Sequence, residues 1–104
     1  MINNIVEIKL NNNETVKLFL NFKMLLKVKN NYPDDYYAFN KIVSGNSKED
    51  VDFFEILSVI YVAYLCANFD NKTRYTKNEF IMLVPFNITL IKNTQNRLLG
   101  ISKN

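Results

Sequence analysis

The chain has 104 residues, a formal net charge of +3 and 48% hydrophobic residues, which together indicate one folded domain rather than a disordered chain. It has no histidine, a single cysteine and two glycines that lie far apart. The commonest general base and zinc ligand, an intramolecular disulfide and a glycine-rich phosphate loop are therefore excluded. We expect no catalytic site, metal or cofactor, so an enzyme is not the expected class.

The first twenty residues predict a β-hairpin. Residues 5–10 mostly alternate apolar and polar side chains, and residues 15–20 repeat this pattern. The segment 11–14 between them is rich in asparagine, which tolerates the left-handed conformation of tight turns. Because an isolated hairpin is marginal in water, we expect it to pack on the helical part, residues 21–100. With a bundle of about four to five helices there, the expected fold class is α+β, mainly α.

Asn21 predicts the start of a first helix, whose apolar side would carry Phe22, Leu25 and Leu26 while its lysines face solvent. Asn30 and Asn31 are expected to end it.

Pro33 suits the first position of a second helix, and the two following aspartates favour the positive end of that helix. Tyr36, Phe39 and Val43 give this helix an apolar edge. Gly45 is expected to stop it in a left-handed conformation.

The segment Val51–Phe69 predicts a long apolar helix at the centre of the fold. Ser47, with Asp50 three residues later, is a capping signal ahead of it. The fourteen residues from Ile56 to Phe69 carry no charge. Since a membrane-spanning helix needs roughly 20 apolar residues, a core helix is the better interpretation and no membrane span is expected.

The two sides of this central helix differ in side-chain size. The larger side is expected to form the chain's own core: Phe54, Leu57, Tyr61, Tyr64 and Leu65. The smaller side is apolar in its middle and would admit a close neighbour: Val59, Val62, Ala63 and Cys66. That neighbour is either another helix of this chain or a second molecule, and the sequence leaves both alternatives open.

Thr76 and Glu79 form a T-x-x-E capping box ahead of a short apolar helix. Pro85 is expected to end that helix, because the residue before a proline is disfavoured in the α region. Asn87 would then cap a last helix over residues 88–99, which Gly100 closes. Residues 101–104 are expected to fray.

The charges are segmented, with basic ends and an acidic middle. Residues 32–70 carry seven acids, whereas residues 71–104 carry six bases and Glu79 alone. A basic patch could meet nucleic acid, but mutual neutralisation of the segments on folding is the simpler interpretation. Asp52 and Glu55 lie on one helix face and could join a metal site, although the acid preference of helix starts also explains them.

The order of elements resembles the tail assembly chaperones of long-tailed, siphovirus-type phages of low-GC Gram-positive bacteria. The resemblance covers most of the chain. Its parts are a hairpin running into Phe22, Leu25 and neighbouring lysines, a long apolar central helix, and a T-x-x-E-F element at Thr76, Glu79 and Phe80. The asparagine-rich composition agrees with an AT-rich host genome.

The resemblance implies a role in binding the tape measure protein before the tail tube polymerises, self-association as a homo-oligomer, and a place in the bacterial host cytoplasm. The lone cysteine and the lack of a signal peptide agree with that compartment. The alternative is a small phage-encoded nucleic-acid-binding or regulatory protein. The candidate protein-contact residues are Val59, Val62, Ala63, Cys66, Phe69, Phe80, Leu83 and Phe86.

Overall fold

The structure, a computed structural model, describes residues 5–45 and 52–100. These residues form two strands and five helices: β1 (Val6–Lys9), β2 (Thr15–Leu18), α1 (Phe22–Asn31), α2 (Pro33–Val43), α3 (Phe53–Ala67), α4 (Lys77–Leu83) and α5 (Ile88–Leu99). This architecture confirms the predicted α+β fold, mainly α, with an N-terminal hairpin and a central apolar helix. Ser47, Asp50, Val51 and the predicted frayed tail lie outside the described residues.

The hairpin is antiparallel, with Val6 opposite Leu18 and Ile8 opposite Val16. Its turn places Asn13 at a φ of 72°, the left-handed conformation expected of this asparagine-rich segment. The four apolar strand residues are buried, and β2 contacts α3. The hairpin therefore packs on the helical part through one face.

Local capping chemistry sets the bounds of α1 and α2. The Asn21 side chain accepts a hydrogen bond from the Met24 amide at 2.8 Å, as its position predicts. Pro33 occupies the first turn of α2, where its missing N–H is not needed. Gly45 follows α2 at a φ of 80°, which a residue with a side chain rarely adopts.

The central helix α3 begins later than predicted and has a different cap. Asp52 accepts a hydrogen bond from the Phe54 amide at 3.1 Å, and Glu55 accepts one from the Asp52 amide at 3.0 Å. This capping box starts the helix at Asp52, whereas the predicted signal at Ser47 and Asp50 lies outside the described residues. All eleven residues from Ile56 to Cys66 are buried, because α3 contacts β2, α1, α2, α4 and α5.

The last two helices begin and end where the sequence predicts. Thr76 and Glu79 form the expected capping box, Val84 is extended before Pro85, and Gly100 ends α5 at a φ of 72°. The Asn11 amide donates to the Leu83 carbonyl at 2.8 Å, which ties the hairpin turn to the end of α4. Among the described helices, none has the length and apolar character to cross a membrane.

Candidate protein-binding surface

The structure buries five of the eight side chains that the sequence nominates for a protein contact. Val59, Val62 and Ala63 are 0% exposed, Cys66 is 2% exposed, and Phe80 on α4 is 0% exposed. Because the surrounding elements all pack on α3, the chain itself covers the small side of this helix. Of the two alternatives left open for that side, the structure therefore favours contact within the chain, and a partner could reach these residues only by opening the core.

The other three nominated residues reach the surface to different degrees. Phe69 is half-buried and its ring meets the Tyr32 ring edge-on, with centroids 6.1 Å apart. Leu83 is half-buried against the core. Phe86 is 92% exposed, so it is the nominated side chain that is most available to a partner.

Two further exposed apolar side chains lie close to Phe86 in sequence, on either side of the junction of α4 and α5. Met82 is 79% exposed and Ile88 is 42% exposed, and we call these three residues the corner surface. Val84 and Pro85 fix the turn between the helices, and Asn87 caps α5 by accepting from the Leu90 amide at 3.0 Å. The corner surface is therefore held outward by a defined backbone.

The side of α1 that faces the core differs from the predicted one. Phe22 is 89% exposed and Leu26 is 59% exposed, although both were assigned to the apolar side that faces the core. Val28 is buried, and Met24 and Leu25 pack partly against the core. The inward side therefore carries the buried Val28 and the partly buried Met24 and Leu25. Phe22 and Leu26, four residues apart beside lysines, form a second apolar stripe on the outer side of α1.

Phe54 shows a similar difference in α3. It was predicted on the core side of the central helix, yet it is 62% exposed in the first turn. At that end of α3 its side chain lies beyond the buried stretch that starts at Ile56.

A cleft of about 460 Å³ lies beside the loop that follows α3, and the Arg74 side chain forms part of its wall. The Arg74 guanidinium lies 5.2 Å from the Tyr32 ring centroid and 5.4 Å from that of Phe69. It also donates to the Tyr32 hydroxyl and to the Phe69 carbonyl. Since these contacts occupy the guanidinium, its role is to fix the loop against Tyr32, the residue between α1 and α2.

Burial raises the pKa of three side chains, those of Tyr61, Cys66 and Asp35. Burial raises the pKa of the Tyr61 hydroxyl to about 12 and that of the Cys66 thiol to about 12. Burial also raises the pKa of the Asp35 carboxyl, partly offset by the nearby Lys77 ammonium. A thiol that holds its proton is a poor nucleophile, so Cys66 behaves as a small apolar core residue.

The two carboxylates considered for a metal site have structural partners. Asp52 and Glu55 form the α3 capping box, and Glu55 lies 3.5 Å from the Lys41 ammonium. Within residues 5–45 and 52–100, no cluster of three or more His, Cys, Asp or Glu side chains could hold a metal ion. Helix capping therefore accounts for this pair.

Comparison with known proteins gives no match to a protein family, a curated protein or a solved structure. The function must therefore be inferred from the chain's own residues and from the surfaces they expose.

Proposed function

We propose that this chain is a non-catalytic protein-binding module that acts as a phage tail assembly chaperone. In this role it binds the tape measure protein and keeps it soluble until the tail tube polymerises around it. The observation that carries the proposal is the corner surface, where Phe86 is 92% and Met82 79% exposed. Large exposed apolar side chains that lie close together in sequence at a helix junction are candidate anchors of protein contacts.

The chemistry of the client explains why such a surface would be useful. A tape measure protein is long and helical, and it exposes apolar stripes until the tube encloses it. A holder of that client needs apolar anchors and many copies, because avidity multiplies modest single affinities. We therefore also propose self-association in the host cytoplasm, with neither a cofactor nor a membrane involved.

Co-expression with the tape measure protein of the same genome tests the proposal. The chain should raise the soluble fraction of the tape measure protein and co-purify with it. Phe86→Ser should reduce both, because it removes the main apolar anchor of the corner surface. Tyr37→Ser is the matched control, since Tyr37 is 62% exposed but lies on α2.

Two outcomes would overturn the proposal. One is a strict monomer by light scattering over a wide concentration range that also fails to co-purify with the tape measure protein. The other is a Phe86→Ser variant that holds the tape measure protein as well as the unaltered chain does.

The alternative is a small nucleic-acid-binding or regulatory protein, which predicts retention on heparin or DNA that falls steeply with salt. The Arg74 guanidinium is held within the chain by the Tyr32 and Phe69 rings, so this cation is not free to meet a phosphate. No retention at low salt would end this alternative.

A further inference from the structure

The outward side of α1 combines an apolar stripe with positive charge. At about 100° per residue, Phe22 and Leu26 lie side by side on the arc opposite the buried Val28. Lys29 lies on one side of this pair, and Lys23 and Lys27 lie on the other. All five side chains are exposed, and we call them the α1 outer face.

The positive charge of the α1 outer face is not neutralised within the described part of the chain. Residues 15–33 contain no aspartate or glutamate. None of the three lysines pairs with a carboxylate of residues 5–45 or 52–100. Lys23 also stands in the first turn of α1, where the helix dipole disfavours a cation. Local helix stability therefore does not explain it.

Charge decides which occupant fits this face. A second copy docking face to face would oppose lysines with lysines, which is unfavourable. The Lys27 and Lys29 ammonium groups lie 5.6 and 5.7 Å from the Phe69 and Tyr36 ring centroids, on opposite sides of the apolar stripe. Positive charge on both sides of an apolar stripe suits a partner whose own apolar stripe is flanked by carboxylates.

We infer that the α1 outer face docks an amphipathic helix whose apolar stripe is flanked by acidic residues. Phe22 and Leu26 would pack against the apolar stripe of that helix, and the three lysines would meet its flanking carboxylates. The arrangement is that of paired helices in which charges beside an apolar seam select the partner. The inference stands independently of the proposed chaperone role, because it uses a different helix and a different set of residues.

A pair of designed peptides tests the inference. Each peptide has about three heptads with Leu at the a and d positions, and carries either Glu or Lys at e and g. Fluorescence anisotropy of the labelled peptides is measured against the full chain. The Glu peptide should bind at least about tenfold more tightly than the Lys peptide, and its affinity should fall as salt rises.

Variants then locate the binding site. Leu26→Ser should weaken binding of the Glu peptide, and Lys23→Glu should weaken it while favouring the Lys peptide. Lys23→Glu places an acid in the first turn of α1, so its thermal stability should be unchanged or slightly higher. Lys9→Glu on β1 is the control, because it changes the net charge equally at another exposed position.

Three results would overturn the inference. The first is equal affinity for the two peptides, or no binding of either. The second is loss of Glu-peptide binding in Phe86→Ser but not in Leu26→Ser, which would move the site to the corner surface. The third is binding to phosphatidylglycerol vesicles that depends on Leu26 while the Glu peptide does not bind, which would make the face a lipid contact. Failure of tape measure binding alone leaves the peptide result unaffected.

Discussion

The Tyr75 amide N–H donates a hydrogen bond to the Tyr64 hydroxyl at 2.8 Å, which joins the loop before α4 to the C-terminal half of α3. The neighbouring Tyr61 hydroxyl donates to the Tyr75 carbonyl at 2.9 Å, so one loop residue is held by two tyrosines. The Tyr64 ring also stacks on the Phe80 ring with centroids 4.7 Å apart. These contacts explain how two hydroxyl groups are accommodated in an otherwise apolar helix.

Removing either hydroxyl should therefore weaken the fold. Tyr61→Phe and Tyr64→Phe keep the rings but leave a Tyr75 backbone group without its partner, so each should lower the free energy of unfolding by about 1 kcal/mol. Urea denaturation measures the change. Tyr37→Phe is the control, because Tyr37 is 62% exposed. Equal stability of the Tyr61→Phe and unaltered proteins would show that the hydrogen bond contributes nothing net.

The free energy of unfolding should fall at alkaline pH. Burial raises the pKa of Tyr61 from its ordinary 10.0 to about 12, so between these pH values the native state binds more protons than the unfolded state. The stabilising contribution of Tyr61 is complete below the pKa that it has in the unfolded chain. It is lost as the pH rises through the pKa that it has in the native protein. Urea denaturation at a series of pH values should show this decline, with a shallower slope in Tyr61→Phe. An unchanged slope in that variant would assign the decline to other groups.

The Cys66 thiol should be unreactive in the native protein. It is 2% exposed, and burial raises its pKa to about 12. Since the thiolate is the reactive species, a disulfide reagent near neutral pH should label Cys66 only as fast as the core opens. Full labelling in denaturant is the control for reagent activity. Rapid stoichiometric labelling of the native protein would contradict the buried position.

A charge in the middle of α3 should disrupt the fold. Val62 is 0% exposed, so Val62→Glu buries an unpaired carboxylate and should destabilise the protein by about 3 kcal/mol or more. Val43→Glu is the matched control, because Val43 is 37% exposed at the end of α2 and should change stability little. Circular dichroism during thermal unfolding compares the two. A folded, equally stable Val62→Glu protein would mean that this face touches nothing.

The stability of the loop between α3 and α4 should depend on the planar shape of the Arg74 guanidinium rather than on its charge. Arg74→Lys keeps the charge but loses the planar group that stacks on Tyr32 and Phe69, which should cost about 1 kcal/mol. Hydrogen exchange of the loop amides should accelerate. Lys72→Gln in the same loop is the control, because Lys72 is exposed. Unchanged hydrogen exchange in Arg74→Lys would show that the guanidinium does not anchor the loop.

The parts of the fold that could be predicted are those encoded within a few adjacent residues. The capping box of Thr76 and Glu79, the cap at Asn87 and the left-handed Gly100 all depend on chemistry within one helical turn, and all three are present. The start of α3 was harder. Asp52 and Glu55 were explained only by the acid preference of helix starts, so their reciprocal capping box was missed.

The outward surfaces were less predictable for a different physical reason. The rotation of α1 about its axis is set by its neighbours, and the sequence alone could not decide between Phe22 and Val28 as the inward residue. Val62 and its neighbours were nominated as contacts because the extent of their coverage depends on how the other elements pack. Phe86 could be nominated because Pro85 marks a break where an apolar side chain has no helix to join.

The central position of α3 has a consequence for how the protein is made. Because α4 and α5 follow it in the chain and both contact it, the most apolar helix leaves the ribosome before two of its covering elements exist. During that interval the nascent chain exposes a surface that favours aggregation. A protein proposed to shield another chain's apolar helix thus has to protect its own during synthesis, and rapid translation of residues 68–100 would shorten that exposure.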